Sequence, residues 1–166
     1  YGENVGLGIT ISGTVGAAME ATSLGFPAMA VSLQTEAQYH LSHSDEIDFT
    51  TAGYFTGYFA KLLLERKLSN GVDLIKVEVP SHATPETEWE VSRLSRLRYY
   101  VPTPTKRSSW DEPGPIGYTH DENLPHEQEG TDVHTLRTKK LVAVTPLNLD
   151  MTAKVDFAQL EQHLRK

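Results

Sequence analysis

The sequence predicts an α/β fold in three layers, and three observations support it. Helical and strand-like segments alternate through the first half in the order loop, helix, strand, helix, strand. One strand candidate is a short, nearly all-apolar run, as expected of a strand covered on both faces. The helix candidates are several turns long and end at glycines.

Each element can be justified in order. Gly2, Gly6 and Gly8 make residues 1–11 a loop able to take unusual backbone angles. Ser12 is a good N-cap for a helix that carries Val15, Ala18, Met19 and Thr22 on one face. Gly25 is its expected stop, and Pro27 prevents continuation. Ala28 to Leu33 reads as a buried parallel strand. The polar stretch from Gln34 to Asp48 holds Tyr39, His40 and His43. A second helix is expected from about Phe49 to Lys67, with Phe55, Tyr58, Phe59, Leu62 and Leu63 at helical spacing. Asn70-Gly71 ends it, and Leu74 to Val79 alternates as a strand that stops at Pro80.

The second half changes character. From Ser81 to Gly130 prolines and charges are frequent and helical periodicity is poor. Val91 to Val101 is expected to form an extended strand, Pro115 to Thr119 a shorter partner, and Pro102 to Gly114 the loop between them. This region reads as an arm extending from the core, with Trp89 and Trp110 marking a contact surface. Leu141 to Thr145 is a further buried strand. Asp156 to Arg165 is a short helix with Phe157, Leu160 and Leu164 on one side. So small a helix needs an apolar surface to dock on, its own core or a neighbouring subunit.

Composition narrows the function classes. The 166 residues are 39% apolar and 22% charged, as in globular proteins. A formal charge of −7 argues against nonspecific binding to a nucleic acid polymer, while leaving a small anionic substrate open. Without cysteine there is no disulfide, thiolate metal site or cysteine nucleophile. No apolar run approaches the ~18 residues of a membrane span, and no leader-like segment opens the sequence. A cytoplasmic protein without membrane attachment is the expectation.

The strongest chemical signal is Ser12-Gly13-Thr14 at a helix start behind a glycine-rich loop. Free N–H groups and the positive end of the helix dipole converge there, two hydroxyls add donors, and Gly13 lets an oxyanion come close. Asn4 supplies a further donor. The plainer alternative is that Ser12 only caps the helix and the glycines only turn the chain. Gly2-Glu3-Asn4-Val5-Gly6-Leu7-Gly8 also has the GxxxGxG spacing of nicotinamide-binding short-chain dehydrogenases. That fingerprint must follow a strand and run directly into a helix. Neither holds here, and none of the seven tyrosines has a lysine four residues on. His40, His43 and Asp45 could suggest a metal site, since His-x-x-His can place two imidazoles on one helical face; no third ligand is spaced to complete a known pattern, so they read as polar residues on a rim. Asp132 in Gly130-Thr131-Asp132 reads as a turn residue whose carboxylate could reach a cleft.

These residues resemble a known family. Gly2-Glu3-Asn4-Val5-Gly6, followed by Ser12-Gly13-Thr14-Val15-Gly16-Ala17-Ala18-Met19-Glu20, is similar to the signature of the SurE (survival protein E) nucleotidases. The likeness continues through Leu24 to Leu33 and returns at Glu129 to Val133, Val144 to Leu147 and Asp150 to Ala153. It is weak from Pro85 to His126. Ile11 and Ala21 stand where tyrosine and glycine are common.

The resemblance implies a Rossmann-like core with a β-hairpin arm and a C-terminal helix, both exchanged between subunits of a homodimer or tetramer. It divides the chain into part of the core (1–82), the arm (83–140), and a core strand with the terminal helix (141–166). The implied activity is hydrolysis of nucleoside 5'- or 3'-monophosphates with a divalent Mg²⁺ or Mn²⁺. Ser12, Thr14 and Asn4 would be catalytic, and Gly6, Ser12, Gly13 and Thr14 would bind phosphate. Family members hold the metal with adjacent aspartates, a serine and an asparagine, and no Asp-Asp pair occurs in this sequence. The expectation is therefore the C-terminal part of a longer enzyme, inactive by itself and without metal ligands of its own. The alternative is a noncatalytic oligomerisation module that binds phosphate weakly.

Overall fold

A computed structural model describes residues 2–65, 68–115, 117–120 and 128–165. Its main sheet has four strands in the order β1, β2, β6, β3. Strand β1 (Met29–Leu33) runs parallel to β2 (Leu74–Val79), with Val31 opposite Val77. Strand β6 (Val142–Leu147) is antiparallel to β2, and β3 (Trp89–Val91) lies parallel to β6 on its far side. The α/β architecture expected from the alternating segments is therefore observed.

Helices cover both faces, because β2 is buried along its whole length. Helix α2 (Thr50–Glu65) packs Ala52, Phe55 and Phe59 against Leu33, Ile75, Val77, Val79, Val142 and Val144. It begins where Asp48 accepts a hydrogen bond from the Thr50 N–H; its expected end at Arg66 and Lys67 falls outside the described residues. On the other face, helix α1 (Gly13–Ser23) packs Val15 and Ala18 against Ala30 and Leu74. Its stop is Gly25, at φ +86°. The glycine-rich segment is not all loop: Gly6–Ile11 winds into a 3₁₀ helix before α1.

The second half differs from expectation at three points. Trp89–Val91 is not the start of an arm strand but the edge strand β3, with Trp89 edge-to-face on Phe59 at 5.5 Å. Pairing with β6 and that ring contact outweigh the polar composition around it. The arm hairpin itself joins β4 (Tyr100–Thr103) to β5 (Gly117–His120) in antiparallel register, so Pro102 lies within a strand. Pro102 is tolerated in a two-stranded ribbon, where one side of each strand has no partner among the described residues. The rest of the expected arm at 121–127 lies outside the described residues.

Finally, Asp132 opens a six-residue helix α3 (Asp132–Arg137) that the sequence pattern did not suggest. The Thr131 hydroxyl caps it by accepting from the His134 N–H. The terminal helix α4 (Phe157–Leu164) forms as expected under an Asp156 cap, but it buries none of its residues.

Candidate phosphate-binding cleft

The ends of β1 and β2 set the site. In α/β sheets ligands collect beyond the carboxyl ends of parallel strands, and residues 2–5 cross that edge. The Asn4 side chain donates from Nδ2 to Ser32 Oγ of β1 at 2.6 Å. The Asn4 N–H donates to Glu78 Oε2 of β2 at 2.9 Å. Two steps further, the Gly6 N–H donates to Asp132 Oδ2 of α3 at 3.0 Å. Gly6 has φ +54°, and a side chain there would collide with the Leu97 carbonyl, so only glycine fits this turn.

Beside this loop, a cleft of about 480 Å³ is lined by Asn4, Ser12, Gly13, His40, Arg98 and Tyr118, among others. A neighbouring cleft of about 420 Å³ is lined by Gly2, Thr14, Ser32 and Phe49, among others. The first turn of α1 thus contributes to both. Ser12 caps the helix, its Oγ accepting from the Val15 N–H at 3.1 Å. Gly13 and Thr14 are exposed at the helix start. The structure brings Asn4, Ser12 and Gly13 to one cleft and Thr14 to the next. Gly6 lines neither, and its N–H is committed to Asp132.

The far wall of the larger cleft comes from the polar loop and the arm. His40 stacks on Tyr118 at 5.7 Å and meets Tyr100 edge-on at 5.6 Å. Its Nε2 lies 3.1 Å from the Thr35 carbonyl, which can only accept, so Nε2 carries the proton. In the neutral ring Nδ1 then accepts from the Tyr118 hydroxyl at 2.6 Å. Burial and the nearby Glu3 carboxylate raise the Tyr100 pKa and keep that hydroxyl protonated. Arg98 is exposed at this wall.

Beneath the loop lies a buried set of charges that sequence reasoning missed. The Lys76 ammonium sits 3.0 Å from Asp132 and 3.4 Å from Glu78, all three side chains fully buried. Asp132 Oδ1 also accepts from the Ser95 and Val133 N–H groups, at 2.8 and 3.0 Å. Glu3 pairs with Arg137, whose guanidinium lies over the Tyr99 ring. Burial pushes the Glu78 carboxyl up to about 8. The available signal was the three-layer fold itself: a central strand covered on both faces must bury its polar residues as well as its apolar ones.

A divalent cation can be tested against these residues. Among the described residues no three His, Asp or Glu side chains converge to hold one. Both ring nitrogens of His40 face protein partners. Glu3, Glu78 and Asp132 are engaged by Arg137, Lys76 and backbone N–H groups. The donor set of the described residues does not fit a divalent cation.

This arrangement defines the class: an α/β protein whose loop and helix start form an open cleft beyond two parallel strands. The family model described as Survival protein SurE matches residues 1–101. The chain is 41% identical over 164 residues to the 5'-nucleotidase SurE of Thermococcus gammatolerans, covering 98% of this chain and 60% of that relative. Against the 5'-nucleotidase SurE of Thermococcus kodakarensis it is 39% identical, covering 98% and 62%. The crystal structure of the SurE protein from Aquifex aeolicus aligns with a TM-score of 0.70 at 28% identity, covering 99% of this chain and 62% of that one. The chain belongs to the SurE family. It spans about 60% of the length of the curated relatives it matches.

Proposed function

We propose that the chain is the phosphate-binding part of a phosphomonoesterase acting on nucleoside 5'- or 3'-monophosphates. The observation that carries this reading is the start of α1, where Ser12, Gly13 and Thr14 meet two adjoining clefts next to Asn4. The N–H groups of Gly13 and Thr14 and the helix dipole favour an oxyanion, whereas the Ser12 N–H already donates to the Ile9 carbonyl. The Ser12 hydroxyl accepts from Val15, and its proton remains available for donation to a phosphate oxygen. The same donors would stabilise charge that grows on the phosphoryl oxygens during attack by water. Asn4 orients the phosphate, and Gly6 shapes the loop behind it.

Metal dependence is part of the proposal. Mg²⁺ or Mn²⁺ would be held by residues other than those described, and the chain by itself is expected to bind phosphate without turnover. The test is release of phosphate from nucleoside monophosphates, with and without Mn²⁺, by this chain and by the longer enzyme. In the longer enzyme Ser12→Ala/Thr14→Ala is expected to lower kcat/KM by about 100-fold, the scale of losing oxyanion donors. Unchanged kinetics would remove Ser12 and Thr14 from the assignment.

The exposed apolar side of α4 favours a second role, assembly into a homodimer or tetramer through the arm and terminal helix. There Phe157 is 62% and Leu164 74% exposed. No described helix is long and apolar enough to cross a membrane.

A further inference from the structure

The buried charges beneath the cleft contact the backbone that forms its wall, and nothing in the proposed chemistry uses them. Three residues of the loop are fixed from below. Glu3 is held by Arg137, the Asn4 N–H by Glu78, and the Gly6 N–H by Asp132. Lys76 joins the last two carboxylates. Two of the anchoring residues, Asp132 and Arg137, come from the same short helix α3. Glu3, Asn4 and Val5 in turn line the same cleft as Ser12 and Gly13 of the α1 start.

A buried ion set of this kind is a costly way to gain stability alone, since apolar residues of equal volume often do as well. Carboxylates do something apolar residues cannot: each fixes a particular N–H at a set distance and direction. We propose that Lys76, Glu78 and Asp132 form a positioning unit that sets the loop wall facing α1, and through it the affinity of the cleft for a phosphate oxyanion. The proposal rests on the phosphate reading above and names residues that act through the loop without touching the ligand.

Amide spectra of the labelled chain, titrated with inorganic phosphate, give a dissociation constant from Ser12, Gly13 and Thr14. Asp132→Asn is expected to raise it about tenfold, the scale on which groups supporting direct ligands act. Phe55→Leu, on the opposite face of the sheet, is expected to lower the thermal midpoint and leave the constant unchanged. A folded Asp132→Asn variant with wild-type affinity overturns the proposal.

If that variant does not fold, amide hydrogen exchange of the wild-type chain decides. The Asn4 and Gly6 N–H groups are expected to exchange far more slowly than those of Gly13 and Thr14, which have no intrahelical partner. Equal exchange rates overturn the positioning role. Absence of any phosphate-dependent shift in the wild-type chain would instead sink the phosphate reading. The exchange rates then still decide whether the charges fix the loop.

Discussion

The two faces of β2 are equally buried and differ in what they specify. Ile75, Val77 and Val79 face α2 in a cluster made only of apolar groups. Lys76 and Glu78, on the alternate positions, face the loop and α3 through ion pairs and hydrogen bonds. Apolar contacts are non-directional, so the first face fixes volume and tolerates substitutions that conserve it. The second face fixes particular N–H groups, and loss of Lys76 or Asp132 leaves a buried charge unmatched. Both faces therefore hold the fold together, and only the second also fixes particular groups of the loop that lines the cleft.

The largest break in this comparison is expected from Asp132→Ala. It strands the Lys76 ammonium and leaves the Gly6 and Ser95 N–H groups without their acceptor. Loss of one partner in a buried ion set costs about 3–5 kcal/mol, readable as a lower urea midpoint. A loss below about 1 kcal/mol, the scale of an exposed pair, would mean that water reaches the charges.

Next comes pH. Glu78 faces Lys76 on its own strand, Asp132 from α3, and Glu3 and Asn4 from the loop. Burial dominates and raises its pKa from 4.5 to about 8. A carboxyl with a raised folded-state pKa stabilises the fold fully below its unfolded value and loses that contribution as pH rises through the folded value. Unfolding free energy is thus expected to fall between about pH 4.5 and pH 8, and Glu78→Gln is expected to flatten that slope. An unchanged slope in Glu78→Gln would assign the pH dependence to other groups.

Much of the architecture was legible because its signals are local. Ser12 caps, Gly25 stops and the apolar period of Phe55 and Phe59 each act within a few residues. The deeper half of the site was not legible in this way. Gly6 meets Asp132 across 126 positions of sequence, and Lys76 meets it across 56. No window around Asp132 distinguishes a turn aspartate from a buried hub. Likewise Trp89–Val91 joins the sheet through β6, some 50 residues away, so its polar flanks misdirect.

A matched pair of small perturbations sharpens the contrast. Ile75→Val on the apolar face should cost about 1 kcal/mol through a lost methylene. Ser12→Ala should also cost about 1 kcal/mol through a lost helix cap. The two variants then have similar thermal midpoints and different cleft chemistry. Only Ser12→Ala is expected to weaken phosphate binding in an amide titration. Equal weakening in both would mean that affinity follows global stability, and the two faces would not be separable.

The smallest expected effect lies outside the sheet altogether. Leu160 in α4 is 43% exposed, and the helix buries nothing against the described residues. Replacing Leu160 by Ser should shift the stability of a single chain by less than about 0.5 kcal/mol, as for most surface positions. A second copy that covered Phe157, Leu160 and Leu164 would change that result, because burial of each side chain is worth about 1.5–3 kcal/mol. Sedimentation equilibrium across a concentration series separates the cases. If Leu160→Ser lowers the weight-average mass while leaving dilute-limit stability intact, α4 stabilises the assembly, in contrast to the faces of β2, which stabilise the chain. If mass and stability both stay the same, α4 has no role in assembly.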